Sequence, residues 1–145
     1  MRYAYPVDLT LQDDGRVLAR FPDLVGAVTD GATRAEALAE AADCLDMALA
    51  GLLLDGADIP PPSPAAGRPL VAVEPTTAAK VALHERMRSL GISKVELARR
   101  LGVTETVVRR MLHPLRQTRT ERLVQALAVL GIQVEVHTRL AEARV

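Results

Sequence analysis

Cysteine, aromatic side chains and net charge are all scarce in these 145 residues. Cys44 is the one cysteine, so no disulfide can close within the chain, and a reducing compartment is expected. Trp is absent, and Tyr3, Tyr5 and Phe21 all stand near the start, leaving the later half without a platform on which single-stranded bases could stack. No long apolar run is free of charge. The most hydrophobic stretch, 37–54, contains Glu40, Asp43 and Asp46, which excludes a membrane span. Asp8 interrupts the only early candidate for a signal core, so a cytoplasmic protein is expected. No phosphate-cradling glycine loop and no Ser/His/Asp signature appears. His84, His113 and His137 have no partner three or four residues away and no cysteine near, so neither metal nor cofactor is expected. Cys44, beside Leu45 and Met47, reads as a core-edge thiol rather than a nucleophile.

The net charge of zero hides a split. Residues 1–66 carry eleven acids against four arginines, a net of −7, and residues 67–145 carry fourteen bases against seven acids, a net of +7. Such asymmetry points to two partners, one of them anionic. With no aromatics in the basic half, duplex DNA fits that partner better than single strands.

The acidic half reads as strands followed by a helix. Tyr3, Tyr5, Val7, Leu9 and Leu11 alternate with Asp8, Thr10 and Gln12, predicting one strand over 3–12. Asp13-Asp14-Gly15 is hairpin-turn chemistry, returning as a strand over 16–21, with a shorter third over 24–29. Thr33 and Glu36 have capping-box spacing and open a helix to about Leu54, with Leu38, Ala41, Ala42, Leu45, Leu49 and Leu52 as its buried stripe. Four prolines among residues 60–64 predict an extended, stiff connector over 60–69. Leu70 to Val73 then reads as a returning edge strand, which makes 1–74 a β-β-β-α-β domain.

The basic half begins with a helix over 77–90, with Val81, Leu83 and Met87 as candidate core. The next segment has the spacing of a helix-turn-helix. Leu97, Leu101, Val103, Val108 and Met111 bury one side of two short helices, and Ala98 is the small residue where they cross. Gly102 supplies the turn, Ser93 with Glu96 caps the first helix, and Thr104 caps the second. In such a motif the second helix enters the major groove. Its outward positions are Thr104, Glu105, Thr106, Arg109, Arg110 and His113. Either arginine can make a bidentate bond to guanine, and Glu105 can accept from cytosine. Lys94, Arg116, Gln117 and Arg119, near the helix ends, suit phosphate contacts that position without specifying sequence. Thr118 and Glu121 predict a cap for a last helix ending near Leu130, with Gly131 closing it. This domain spans 77–131. Ile132-Gln133-Val134-Glu135-Val136 alternates again, predicting a terminal strand over 132–137 that could pair with its copy in a homodimer or higher oligomer. The fold class expected is therefore α+β.

The ordered set of motifs resembles the HicB-like antitoxins of type II toxin–antitoxin modules, in the subgroup with a C-terminal helix-turn-helix. The likeness is carried by Asp14-Gly15-Arg16-Val17, by the run from Phe21 through Gly31, by Thr33 to Leu38 and on to Leu49. In the second half it rests on Ala79 to Leu83, the helix-turn-helix, and Val108 to Leu112 before Pro114. The resemblance implies a degenerate ribonuclease-H-like first domain that occludes a HicA-like ribonuclease toxin. It also implies a second domain that binds double-stranded operator DNA and represses the module. Candidate toxin contacts are Phe21, Pro22, Asp23, Leu24, Glu36, Glu40 and Asp43. An acidic surface suits a toxin that must itself be cationic to hold RNA. A free-standing regulator whose acidic domain senses a ligand or protein stays open as the alternative. An enzyme is not expected: a two-metal nuclease needs carboxylates holding cations about 3.5–4 Å apart. Asp8 lies on the polar side of its strand, and Glu36, Glu40 and Asp43 oppose the helix's buried stripe.

Overall fold

The computed structural model describes residues 1–141. Among them are five helices and two small antiparallel sheets, an α+β architecture. The chain divides into two compact units. The first takes Met1–Leu49, Pro60–Glu74 and the tail from Arg139, and the second takes Ala50–Ile59 and Pro75–Thr138.

In the first unit the expected long opening strand is two strands, β1 (Ala4–Pro6) and β2 (Asp8–Leu11). The break falls at Val7, a core residue whose N–H donates to the Pro69 carbonyl. Each side of the break has a different neighbour. Tyr5 in β1 opposes Val71 in β5 (Leu70–Ala72), and Leu9 in β2 opposes Ala19 in β3 (Val17–Arg20). One unbroken strand could not serve both ladders. The third strand is also displaced, from the expected 24–29 to β4 (Val28–Gly31), whose Thr29 opposes Ala19. Leu24 and Ala27 are buried, but in a wide loop closed by Leu24 N–H to Phe21 C=O, Ala27 N–H to Leu24 C=O and Phe21 N–H to Ala27 C=O. Their burial comes from packing under a loop, which alternation cannot distinguish from a strand.

Helix α1 (Arg34–Leu54) starts as its capping residues dictate. Thr33 Oγ1 accepts from the Glu36 N–H at 3.1 Å, and the Glu36 carboxylate accepts from the Ala32 N–H at 3.0 Å. Ala37, Ala41, Leu45 and Leu49 bury fully, whereas Leu38, Ala42 and Leu52 are half-buried. The proline-rich segment is fastened to the first unit. The Tyr5 hydroxyl donates to the Pro60 carbonyl at 2.6 Å, and the Asp23 carboxylate accepts from both the N–H and the hydroxyl of Ser63. Arg68 donates to the Pro64 and Ala65 carbonyls.

The second unit is built on α2 (Pro75–Leu90), α3 (Lys94–Leu101), α4 (Glu105–Leu112) and α5 (Thr120–Val129). Their shared core contains Leu83, Met87, Leu97, Ala98, Val108, Met111, Leu123, Ala126, Leu127 and Leu130. Gly102 ends α3 at φ +67°, a left-handed conformation that a side chain would strain. Thr118 does not cap α5. The helix opens one residue later than that cap requires, with Arg119 at the N-cap position and no side-chain cap bond. The strand expected over 132–137 is absent: the segment has no regular structure, and Val134 and Val136 are exposed. A strand needs a neighbour to take up its backbone bonds, and within the described residues this one has none.

Candidate functional site

Two surfaces collect the residues singled out in the sequence, one in each unit. On the second unit, α3 and α4 flank a turn at 102–104. Ser93 Oγ accepts from the Glu96 N–H at 3.1 Å, and Thr104 Oγ1 accepts from the Val107 N–H at 3.4 Å, so both helix starts are capped where expected. The Glu96 carboxylate, however, turns away from Ser93. It takes Arg99 at 2.6 Å and Arg100 at 2.9 Å. The Arg99 hydrogen bond, then that of Arg100, pulls its carboxyl from 4.5 to about 2. Because the folded value lies below the unfolded one, the pairing supports the fold above pH 4.5 and is lost as pH falls through about 2. Carboxyl-carbon NMR titration should find the Glu96 midpoint near 2, and Arg99→Ala with Arg100→Ala should return it to the ordinary range. Glu96 alone thus engages two cations of the α3 surface.

On α4, Val108 and Met111 are buried, and at a helical 100° per residue Thr106 stands on the opposite side. Arg109 and Arg110 flank Thr106, and all three are exposed. The arginines differ in freedom. Arg109 is held by Glu105 through Nε at 3.1 Å and Nη2 at 2.8 Å, whereas Arg110 has no hydrogen bond or ion pair among the described residues. Glu105 is therefore engaged with Arg109. Thr104 is exposed at the start of the helix and Lys94 at the start of α3. His113 is half-buried at the end of α4. Its Nδ1 accepts from the Leu115 N–H at 3.2 Å, so the neutral ring carries its proton on Nε2. Arg116, Gln117 and Arg119 are exposed on the turn that follows.

The first unit presents acids on α1. Glu36, Glu40 and Asp43 are all exposed at i, i+4 and i+7, with the exposed Met47 next on the same line. The Phe21–Leu24 segment is a different matter. Phe21 and Leu24 are core side chains, 1% and 3% exposed, and are not available to a partner. The Asp23 carboxylate is occupied by Ser63, which leaves Pro22 and the fully exposed neighbour Val25 as the accessible part of that loop. An apolar side chain next to turn residues has no sequence signature separating contact from core.

Sequence reasoning overlooked Lys80. It lies on the buried stripe of α2, at i, i+3 and i+7 with Leu83 and Met87, and is 1% exposed. A lysine in register with an apolar stripe was the available signal. Among the described residues no group of three His, Cys, Asp or Glu side chains could hold a metal ion. No described helix is long and apolar enough to cross a membrane.

No protein-family model matches the chain. Curated relatives do. Antitoxin HicB 2 of Photorhabdus laumondii is 36% identical over 132 residues, covering 91% of this chain and 94% of that protein. The chain belongs to the HicB antitoxin family. Antitoxin HicB of Escherichia coli K12 is 32% identical over 133 residues, covering 91% of this chain and 96% of the relative. Antitoxin HicB 1 of Photorhabdus laumondii is 32% identical over 130 residues, covering 90% and 83%. The role of this HicB family member is accordingly that of an antitoxin in a toxin–antitoxin system. The likeness spans both units, so neither half is an appendage foreign to the family.

Proposed function

We propose that this HicB family member neutralises a HicA-type RNA-cleaving toxin with its first unit and represses its own operon with its second. On this reading the first unit is a degenerate ribonuclease-H-like domain without catalysis, and α3, the turn and α4 form a DNA-binding helix-turn-helix. The protein works in the cytoplasm. The observation that carries the reading is likeness to HicB antitoxins along 91% of the chain. Charge supports it further. Glu36, Glu40 and Asp43 form an acidic line suited to a cationic toxin, with Pro22 and Val25 as apolar contacts. The α4 surface offers Arg110 unencumbered and Arg109 held in a fixed fork, both suited to guanine edges, with Thr104, Thr106 and His113 beside them. Lys94, Arg116, Gln117 and Arg119 supply the backbone contacts. The unpaired segment 132–137 pairs with its copy in a homodimer, matching the two-fold symmetry of an operator.

The DNA half of the reading is tested with duplex DNA from directly upstream of the coding sequence. Arg109→Ala with Arg110→Ala should erase preference for that duplex over a scrambled one, since each good bidentate arginine contact contributes about 1–3 kcal/mol of discrimination. Circular dichroism of the variant should be unchanged, because both side chains are exposed. Preference that survives the double change would remove α4 from the groove.

A further inference from the structure

We propose that Lys80 is a positioning residue for the DNA backbone contacts: its buried ammonium gathers the carbonyls of the turn after α4 and so sets where Arg116, Gln117 and Arg119 meet phosphate. The inference rests on the DNA-binding reading above. Lys80 Nζ donates to the His113 carbonyl at 2.6 Å and to the Arg116 carbonyl. The His113 carbonyl stands at the C-cap of α4, where the helix dipole favours a cation, and the Arg116 carbonyl lies in the turn just beyond it. Burying an ammonium is costly unless hydrogen bonds satisfy it. An apolar residue at position 80 would fill the α2 stripe at lower cost, so a lysine here implies a task beyond packing.

The task is visible in the turn itself. Pro114 has no N–H to contribute, and the His113 carbonyl is shared between Lys80 and the Arg116 N–H. The Leu115 N–H is bound by the His113 ring. These bonds converge on one short segment, which Lys80 ties to α2. Beyond it the side chains of Arg116, Gln117 and Arg119 are exposed and make no hydrogen bond or ion pair among the described residues. A backbone held from beneath, with free donors above, is what phosphate contacts require.

The test is the full-length Lys80→Met variant, titrated with the upstream duplex over a range of salt. Losing the Arg116 and Arg119 contacts should make the slope of log affinity against log salt shallower by about 0.9 for each, about 1.8 per domain. The preference for the upstream duplex over a scrambled one should be retained, because α4 keeps its own core. A residue that only stabilised the fold would reduce the active fraction and leave the slope alone, so an unchanged slope in a folded variant overturns the proposal. Should Lys80→Met not fold, Arg116→Ala with Arg119→Ala touches exposed side chains only; the same shallower slope is expected, and an unchanged one overturns it. Amide hydrogen exchange provides a reading that needs no DNA. Exchange at Leu115 and Arg116 should speed in Lys80→Met while Leu123 to Leu127 stay protected, and unaltered exchange would end the role of Lys80. A parent chain that binds no duplex would instead overturn the DNA-binding reading, and with it the purpose assigned to Lys80.

Discussion

Gly31→Val should unfold the first unit at temperatures the parent tolerates. A Cβ at residue 31 would lie 2.3 Å from the Ala37 nitrogen and 2.8 Å from the Ala37 Cα and the Glu36 carbonyl carbon. All three are backbone atoms in the first turn of α1, where no side chain can swing aside. Relief requires that turn to retreat from the end of β4, at the expense of the Thr33 and Glu36 caps. Overpacking of a tight core typically costs about 1–3 kcal/mol, and a backbone clash belongs at the upper end. For a chain of this size about 3 kcal/mol lowers the melting midpoint by roughly 10 °C. Gly51→Ala is the matched control. It lies in the same helix with nothing within 4 Å of the added Cβ, so it should raise the midpoint by removing a helix-interior glycine, worth about 1 kcal/mol. Thermal denaturation followed by circular dichroism reads both. A parent-like midpoint in Gly31→Val would mean that β4 and α1 do not approach as described.

How much of this was legible beforehand depended on whether a residue's role is local. The helix starts at Thr33, Ser93 and Thr104 were readable because a cap involves only the next three or four residues. The core of the second unit was readable for the same reason: Leu97, Val108 and Met111 are spaced along their own helices. Roles set by distant partners were not. Val7 breaks the first strand because Pro69 takes its N–H, and nothing near position 7 announces residue 69. Asp23 looked like a free surface acid until Ser63, forty residues on, occupied it. Phe21 and Leu24 read as contacts from the resemblance and are core in the structure, since a hydrophobic residue beside a turn has the same sequence signature in both settings. On α4 the exposure of Thr104, Thr106, Arg109 and Arg110 was legible, whereas Glu105 and His113 are half-buried, and the division of labour was not readable. Only the structure separates Arg109, braced by Glu105, from Arg110.

Reversing charge on α1 should abolish protection while leaving DNA binding intact. Glu40→Lys with Asp43→Lys is the cleaner pair, because Glu36 also serves the helix start through Ala32 and its loss would blur docking with folding. Both chosen residues are exposed, so the fold should survive. A toxin that grips RNA must present cations, and replacing two anions opposite them with two cations turns attraction into repulsion. Removing such steering slows association by an order of magnitude or more at low salt, and like charges brought together cost several kcal/mol. Together these should weaken capture by a hundredfold or more. The measurement is growth of cells expressing a HicA-type toxin, with the parent chain or the variant supplied in trans. The parent should restore growth and the variant should not, although both retain the upstream duplex. Rescue by the variant equal to the parent's would move the docking site off the acidic line and onto the Pro22 and Val25 loop. If the parent itself fails to rescue while still binding DNA, the acidic unit is a sensor, and the chain is a regulator that has lost its toxin.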